Sequence, residues 1–153
     1  MSIHRAANCV NGRLCKAFAN IDGLVEELLW IKTFEATVEK SKTEVNVMGD
    51  LWTQHKAGGL SGSGSMTIYS CTPVFKKLMQ DYEKTKIDHY ITLTIVNADP
   101  GSNAGTQSVI LTDVNFNSTN VTKIDVEADV LEEDMDFTFS GWDFPSHYKE
   151  NLE

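Results

Sequence analysis

The chain has 153 residues, 41% of them hydrophobic and 23% charged, with a net charge of −9. It is long enough to bury one core without disulfides or metals, too apolar for wholesale disorder, and has no apolar run near the ~20 residues that cross a bilayer. Residues 1–124 balance 12 acids against 12 bases, whereas residues 125–153 hold 10 acids and one base, Lys149. That disfavours tight binding to nucleic acid, which needs Lys and Arg on its contact face.

The start, MSIHRAANCVNGR, lacks the apolar centre of an export signal, so the expected address is the cytoplasm. Cys9, Cys15 and Cys71 are then expected as reduced thiols, and the glycosylation patterns at Asn117 and Asn120 carry no weight. In CVNGRLCKAF, Asn11-Gly12 predicts a hairpin turn in which Cys9 faces Leu14 rather than Cys15. A second turn is expected at Asp22-Gly23. LLWIKTFEATVE contains helix formers, but Trp30, Phe34, Ala36 and Val38 alternate with Ile31, Thr33, Glu35, Thr37 and Glu39, which predicts a long strand. Beyond it the periodicity fades, and residues 44–64 are expected to form one extended, glycine-rich loop.

GSMTIYS predicts a strand, and Thr72-Pro73 predicts the start of a helix over 73–84, with Val74, Phe75, Leu78, Met79 and Tyr82 on one face. Strands follow at DHYITLTIVN, QSVILTDVNFN, TKIDVEADV and MDFTFSGWDF, with a turn through Asp99-Pro100-Gly101 and a charged turn at LEEDMD. The expected fold is mainly β: an antiparallel β-sandwich or partly closed β-barrel with one flanking helix, over residues 1–153 as one domain.

The chemical motifs are weak. The glycines at 59 and 64 have Walker spacing, but Ser65 stands where the lysine belongs and a strand follows; Gly62 and Gly64 lack the third glycine of a dinucleotide fingerprint, since position 67 is Thr. Asp113, Asn115 and Asn117 mimic the first ligands of a calcium loop, but Ser118 and Ile124 stand where its glycine and glutamate belong. His4, His55, His89 and His147 form no zinc spacing, and no nucleophile elbow is present. No catalytic residue, cofactor or metal is expected. Leu51 and Trp52 are large apolar residues in a polar stretch, either tucked beneath it or held out for a partner.

The NG start, IDGLVEELLWIKTFEATVEKSKTEVNVMGD, GLSGSGSMTIYSCTPVFKKLM and the closing DFTFSGWDF together resemble the tail tube proteins of contractile-tailed phages, in particular the XkdM-like group of PBSX-type defective prophages. The resemblance covers nearly the whole chain and implies a β-sandwich or barrel with a flanking helix, akin to Hcp proteins of type VI secretion. It further implies hexameric rings stacked into a tube, partnered by sheath and baseplate proteins, with DNA only in passage and no membrane. The cytoplasm would hold the chain before assembly and a phage or defective-phage tail after it. By that resemblance the 44–64 loop reaches a neighbouring subunit, with Leu51, Trp52, His55 and Lys56 as contacts. In KIDVEADV, Asp125, Glu127 and Asp129 would share one strand face and line the lumen, opposite Ile124, Val126, Ala128 and Val130. A type VI tube subunit and a monomeric β-barrel that binds a small ligand or glycan are the alternatives.

Overall fold

The computed structural model describes residues 6–9, 11–28, 30–101 and 103–146. His4, Val10, His147 and Lys149 lie outside them. Eight strands and one helix run β1 (Cys15–Ile21), β2 (Leu24–Glu27), β3 (Ile31–Val45), β4 (Gln54–Tyr69), α1 (Val74–Thr85), β5 (Ile91–Ala98), β6 (Thr106–Phe116), β7 (Glu132–Phe139) and β8 (Gly141–Ser146). All the pairings are antiparallel.

The sheet order is β2-β1-β5-β6-β7-β4-β3, with β8 also on β6. β6 belongs to both halves. Residues 106–111 and Val114 pair with β5 and residues 108–112 with β8, while Asn115 and Phe116 pair with β7. Asp113, with φ of 54°, marks the change, between register partners that shift by one residue. A bulge at such a point bends a strand sharply, so the sheet folds over on itself. Its two ends, β2 and β3, are not paired to each other, and the sheet stays open.

The core fills the fold. Leu93 and Leu111 from one half meet Met66, Ile68, Met135, Phe137 and Phe139 from the other. α1 caps one side through Phe75, whose ring meets Phe116 edge-on at 4.9 Å. Of the expected apolar face, Phe75 is buried and Leu78 packs beside it against the core, while Tyr82 is 46% exposed. The helix stops where Lys86 turns left-handed, at φ of 62°.

The turn at Asp22-Gly23 forms as expected, both residues having positive φ as a two-residue hairpin requires. The Asn11-Gly12 hairpin does not. The Asn11 side chain accepts from the Arg13 N–H at 3.1 Å and starts a short 3-10 turn at Gly12–Leu14, while its own N–H donates to Asp99 Oδ2 at 2.9 Å. An Asn that hydrogen-bonds its own backbone competes with the hairpin turn, and here it wins.

The extended loop expected at 44–64 is a second correction. β3 and β4 form one long hairpin whose last rung is Val45 against Gln54, leaving only 46–53 as its connection. The glycines are strand residues chosen by their neighbours. A Cβ on Gly62 would fall 2.5 Å from the Phe139 ring, and one on Gly64 would strike both the Phe137 ring and the Glu35 carbonyl. Gly62 faces Phe139 and Gly64 faces Phe137 across the β4–β7 pair. The absent side chains let two aromatic rings lie flat beneath β4, a known compensation for glycine in a strand.

Candidate assembly interface

Beyond Gly62, β4 loses β7 and pairs with β3 alone. Residues 39–61 therefore form a two-stranded arm, exposed along nearly its whole length. Seven residues of strand put its end roughly 20 Å past the last three-stranded rung. A two-stranded ribbon is marginal on its own in water, and its bare edges are ready to pair.

At the tip, the Asp50 N–H donates to the Val47 carbonyl at 3.2 Å and the Trp52 N–H to Asp50 Oδ1 at 3.0 Å. This tight turn throws apolar side chains outward. Met48, Leu51 and Trp52 are 101%, 102% and 82% exposed, so no satellite cluster lies beneath them. His55 and Lys56 stand on the first rungs, where alternation sends them to opposite faces. His55 pairs across with Glu44, its Nε2 4.0 Å from that carboxylate, and Lys56 lies opposite Thr43. The four expected contact residues thus divide between one tip and two faces of one arm.

The acidic strand expected at 122–130 is absent: the segment is irregular, with the Glu127 N–H turned back onto Asp125 Oδ1 at 3.1 Å. Ile124 and Val126 are almost fully exposed alongside Asp125, Glu127 and Asp129, so the segment has no inner and outer side. Among the described residues no strand pairs with it, and β pattern without a partner does not make a strand. Asp125 and Asp129 instead border a hollow with Tyr69, Lys123 and Glu132.

A different acidic face does form. Register places Glu35, Thr37 and Glu39 of β3, Ser61, Ser63, Ser65 and Thr67 of β4, and Asp134, Asp136 and Thr138 of β7 together on the outward side of β3-β4-β7. It is a wall of carboxylates and hydroxyls. Thr67 donates to Asp134 at 2.6 Å, and at one end Lys32 meets Glu132 at 2.6 Å, the hydrogen bond and then the charge of that carboxylate raising the lysine's pKa. The signal was in the alternating serines of SGSGSMT, which are read as loop when glycine is taken for flexibility.

LEEDMD is likewise strand rather than turn. Glu133, only 2% exposed, points inward between Ser70 and Lys76, which reach it at 3.0 and 2.5 Å. It fastens the first turn of α1 to β7. Cys15 sits at the start of β1, its thiol pKa raised above 9.0 by burial and then by the charge of Asp99. Asn115, from the calcium-like triplet, donates to Asp88 at 2.6 Å, and among the described residues no cluster of His, Cys, Asp or Glu could hold a metal.

Exposed apolar side chains also gather elsewhere: Leu24 and Val25 on the outer strand β2, and Trp142 with Phe144 on β8. The chain exposes 11008 Å². A compact monomer of its mass exposes ~7,700 Å².

The phage tail tube protein family profile matches residues 2–146. This chain belongs to that family. It is 45% identical over 141 residues to the phage-like element PBSX protein XkdM of Bacillus subtilis strain 168, covering 92% of this chain and 93% of XkdM. Its fold matches a chain in the cryo-EM structure of the anti-feeding prophage baseplate with a TM-score of 0.67 at 10% identity, covering 92% of this chain and 97% of that one. A chain of the extracellular contractile injection system PVC, in its sheath–tube complex, matches with a TM-score of 0.64 at 9% identity, covering 92% and 94%. The tail tube family is a structural one and not an enzyme family, and the part this chain plays is structural.

Proposed function

We propose that copies of this chain form six-membered rings that stack into the hollow inner tube of a contractile tail, seated on a baseplate and enclosed by a sheath. The observation that carries the reading is the arm at 39–61, which has no third strand and no core of its own. Such an element becomes stable when another copy completes it, and a repeated head-to-tail contact builds a filament. The tail tube family supports the tube, the baseplate and sheath–tube neighbours support the partners, and the 6-fold symmetry named for the anti-feeding prophage baseplate supports the ring number.

The outward face of β3-β4-β7 lines the channel in this reading. Its carboxylates repel phosphate and its hydroxyls keep it wet, so DNA passes without being held. The lumen-lining role expected of Asp125, Glu127 and Asp129 falls in this reading to Glu35, Glu39, Asp134 and Asp136. The chain waits in the bacterial cytoplasm and ends in the tail.

Negative-stain microscopy of the purified chain at rising concentration tests this: hollow tubes or rings are expected. Trp52→Ala should raise the concentration needed while leaving the monomer's urea midpoint unchanged, because that side chain touches little in the monomer. A chain that stays monomeric at every concentration, with and without a baseplate, overturns the proposal.

A further inference from the structure

The unclosed sheet leaves a cleft of about 1020 Å³ between β1 and β3. Phe34 and Ile95 form part of its floor, both packed on the core yet only partly covered. Arg13 and Lys16 stand on its wall with one carboxylate, Glu27, and neither base forms an ion pair among the described residues. The core is thus unsealed on one side, beneath an excess of positive charge.

The arm tip has the opposite character. The connection 46–53 carries Val47, Met48, Leu51 and Trp52, and its single charged side chain is Asp50. A buried Trp alone covers ~150–250 Å². The tip of one molecule cannot enter its own cleft, since eleven residues of strand, 35–45, separate it from Phe34, roughly 36 Å along β3.

The geometry points to a knob-and-socket contact: the arm tip of one copy, led by Trp52 and Leu51, seats in the β1–β3 cleft of the next, with Asp50 facing Arg13 and Lys16. This rests on the tube reading and specifies which surface receives the arm. Knob and socket lie on different parts of the chain, so the contact is heterologous and propagates from copy to copy. It also completes the cover over Phe34 and Ile95 that the free chain lacks.

Cys15 lines the same cleft and supplies the test. Val47, Leu51 and Thr53 are changed singly to Cys, tubes are assembled, and a short flexible bis-maleimide is added. At least one variant should give a ladder of linked chains on a denaturing gel, and the ladder should vanish when Cys15→Ser is combined with it. Independently, Arg13→Glu with Lys16→Glu should raise the assembly concentration about tenfold, and adding Asp50→Lys should restore it, because like charges facing each other oppose docking. Intact tubes in which no tip cysteine links to Cys15, or in which the links run to Cys71, overturn the socket and leave the tube standing. Failure of the unaltered chain to form tubes overturns both.

Discussion

Gly62→Ala puts the account of the glycine-rich strand at risk with a single methyl group. The new Cβ would lie 2.5 Å from one carbon of the Phe139 ring and 2.7 Å from two others. The ring is buried, so it cannot simply swing into water. Overpacking of this kind costs ~1–3 kcal/mol. Against it stands the ~0.4–1 kcal/mol that Gly→Ala gains by restricting the unfolded chain. The net expectation is about 1–2 kcal/mol of destabilisation, which at a urea m-value of ~2 kcal/mol/M lowers the midpoint by ~0.5–1 M. Gly59→Ala is the control: nothing lies within 4 Å of its added Cβ and its φ is not left-handed. It should leave the midpoint unchanged or slightly raised. Urea unfolding of the dilute monomer, followed by circular dichroism, reads both. Phe139→Leu should relieve the clash, so that the double variant is more stable than the sum of the singles predicts, by about 1 kcal/mol. Equal midpoints for Gly62→Ala and Gly59→Ala, or additive effects in the double variant, would refute the argument that the rings require these glycines.

Lys76→Met leaves the Glu133 carboxylate buried with only Ser70, and should cost about 3 kcal/mol in urea unfolding, the low end for a broken buried pair because the ammonium side is partly wet. Adding Glu133→Leu should recover most of that loss. Alkylation at pH 8 followed by peptide mass spectrometry should find Cys15 slower than Cys71, because burial and the charge of Asp99 both disfavour its thiolate. With its pKa raised, the neutral thiol's contribution is whole below about pH 9 and fades as pH climbs through the higher folded value, and Asp99→Asn should speed the reaction. Tubes carrying Glu35→Lys and Asp136→Lys should retain DNA at low salt and release it steeply as salt rises, whereas unaltered tubes should not retain it.

Period-two patterns made most strands legible, and the apolar face of 74–82 made the helix legible, since those signals are local. What failed depended on partners far away in the chain. Whether Gly62 and Gly64 belong to a loop or a strand is decided by Phe139 and Phe137, over seventy residues later. KIDVEADV has strand composition, yet among the described residues no strand pairs with it. Asn11-Gly12 reads as a hairpin until Asp99 takes the Asn11 N–H. Glu133 reads as surface in a run of acids, and its burial is explained by Lys76 and Ser70 across the fold. Leu51 and Trp52 stood out because apolar bulk in a polar stretch is visible without knowing the fold. The acidic wall was hidden because its members alternate on three strands and meet only through register.

In an assembled tube another copy completes the arm. A cryo-EM reconstruction of the assembled tube tests it most directly. Residues 39–61 should pack against an adjacent subunit, with Trp52 covered and Glu35 and Asp136 directed toward the axis. A tube whose arms stand free in solvent would contradict it.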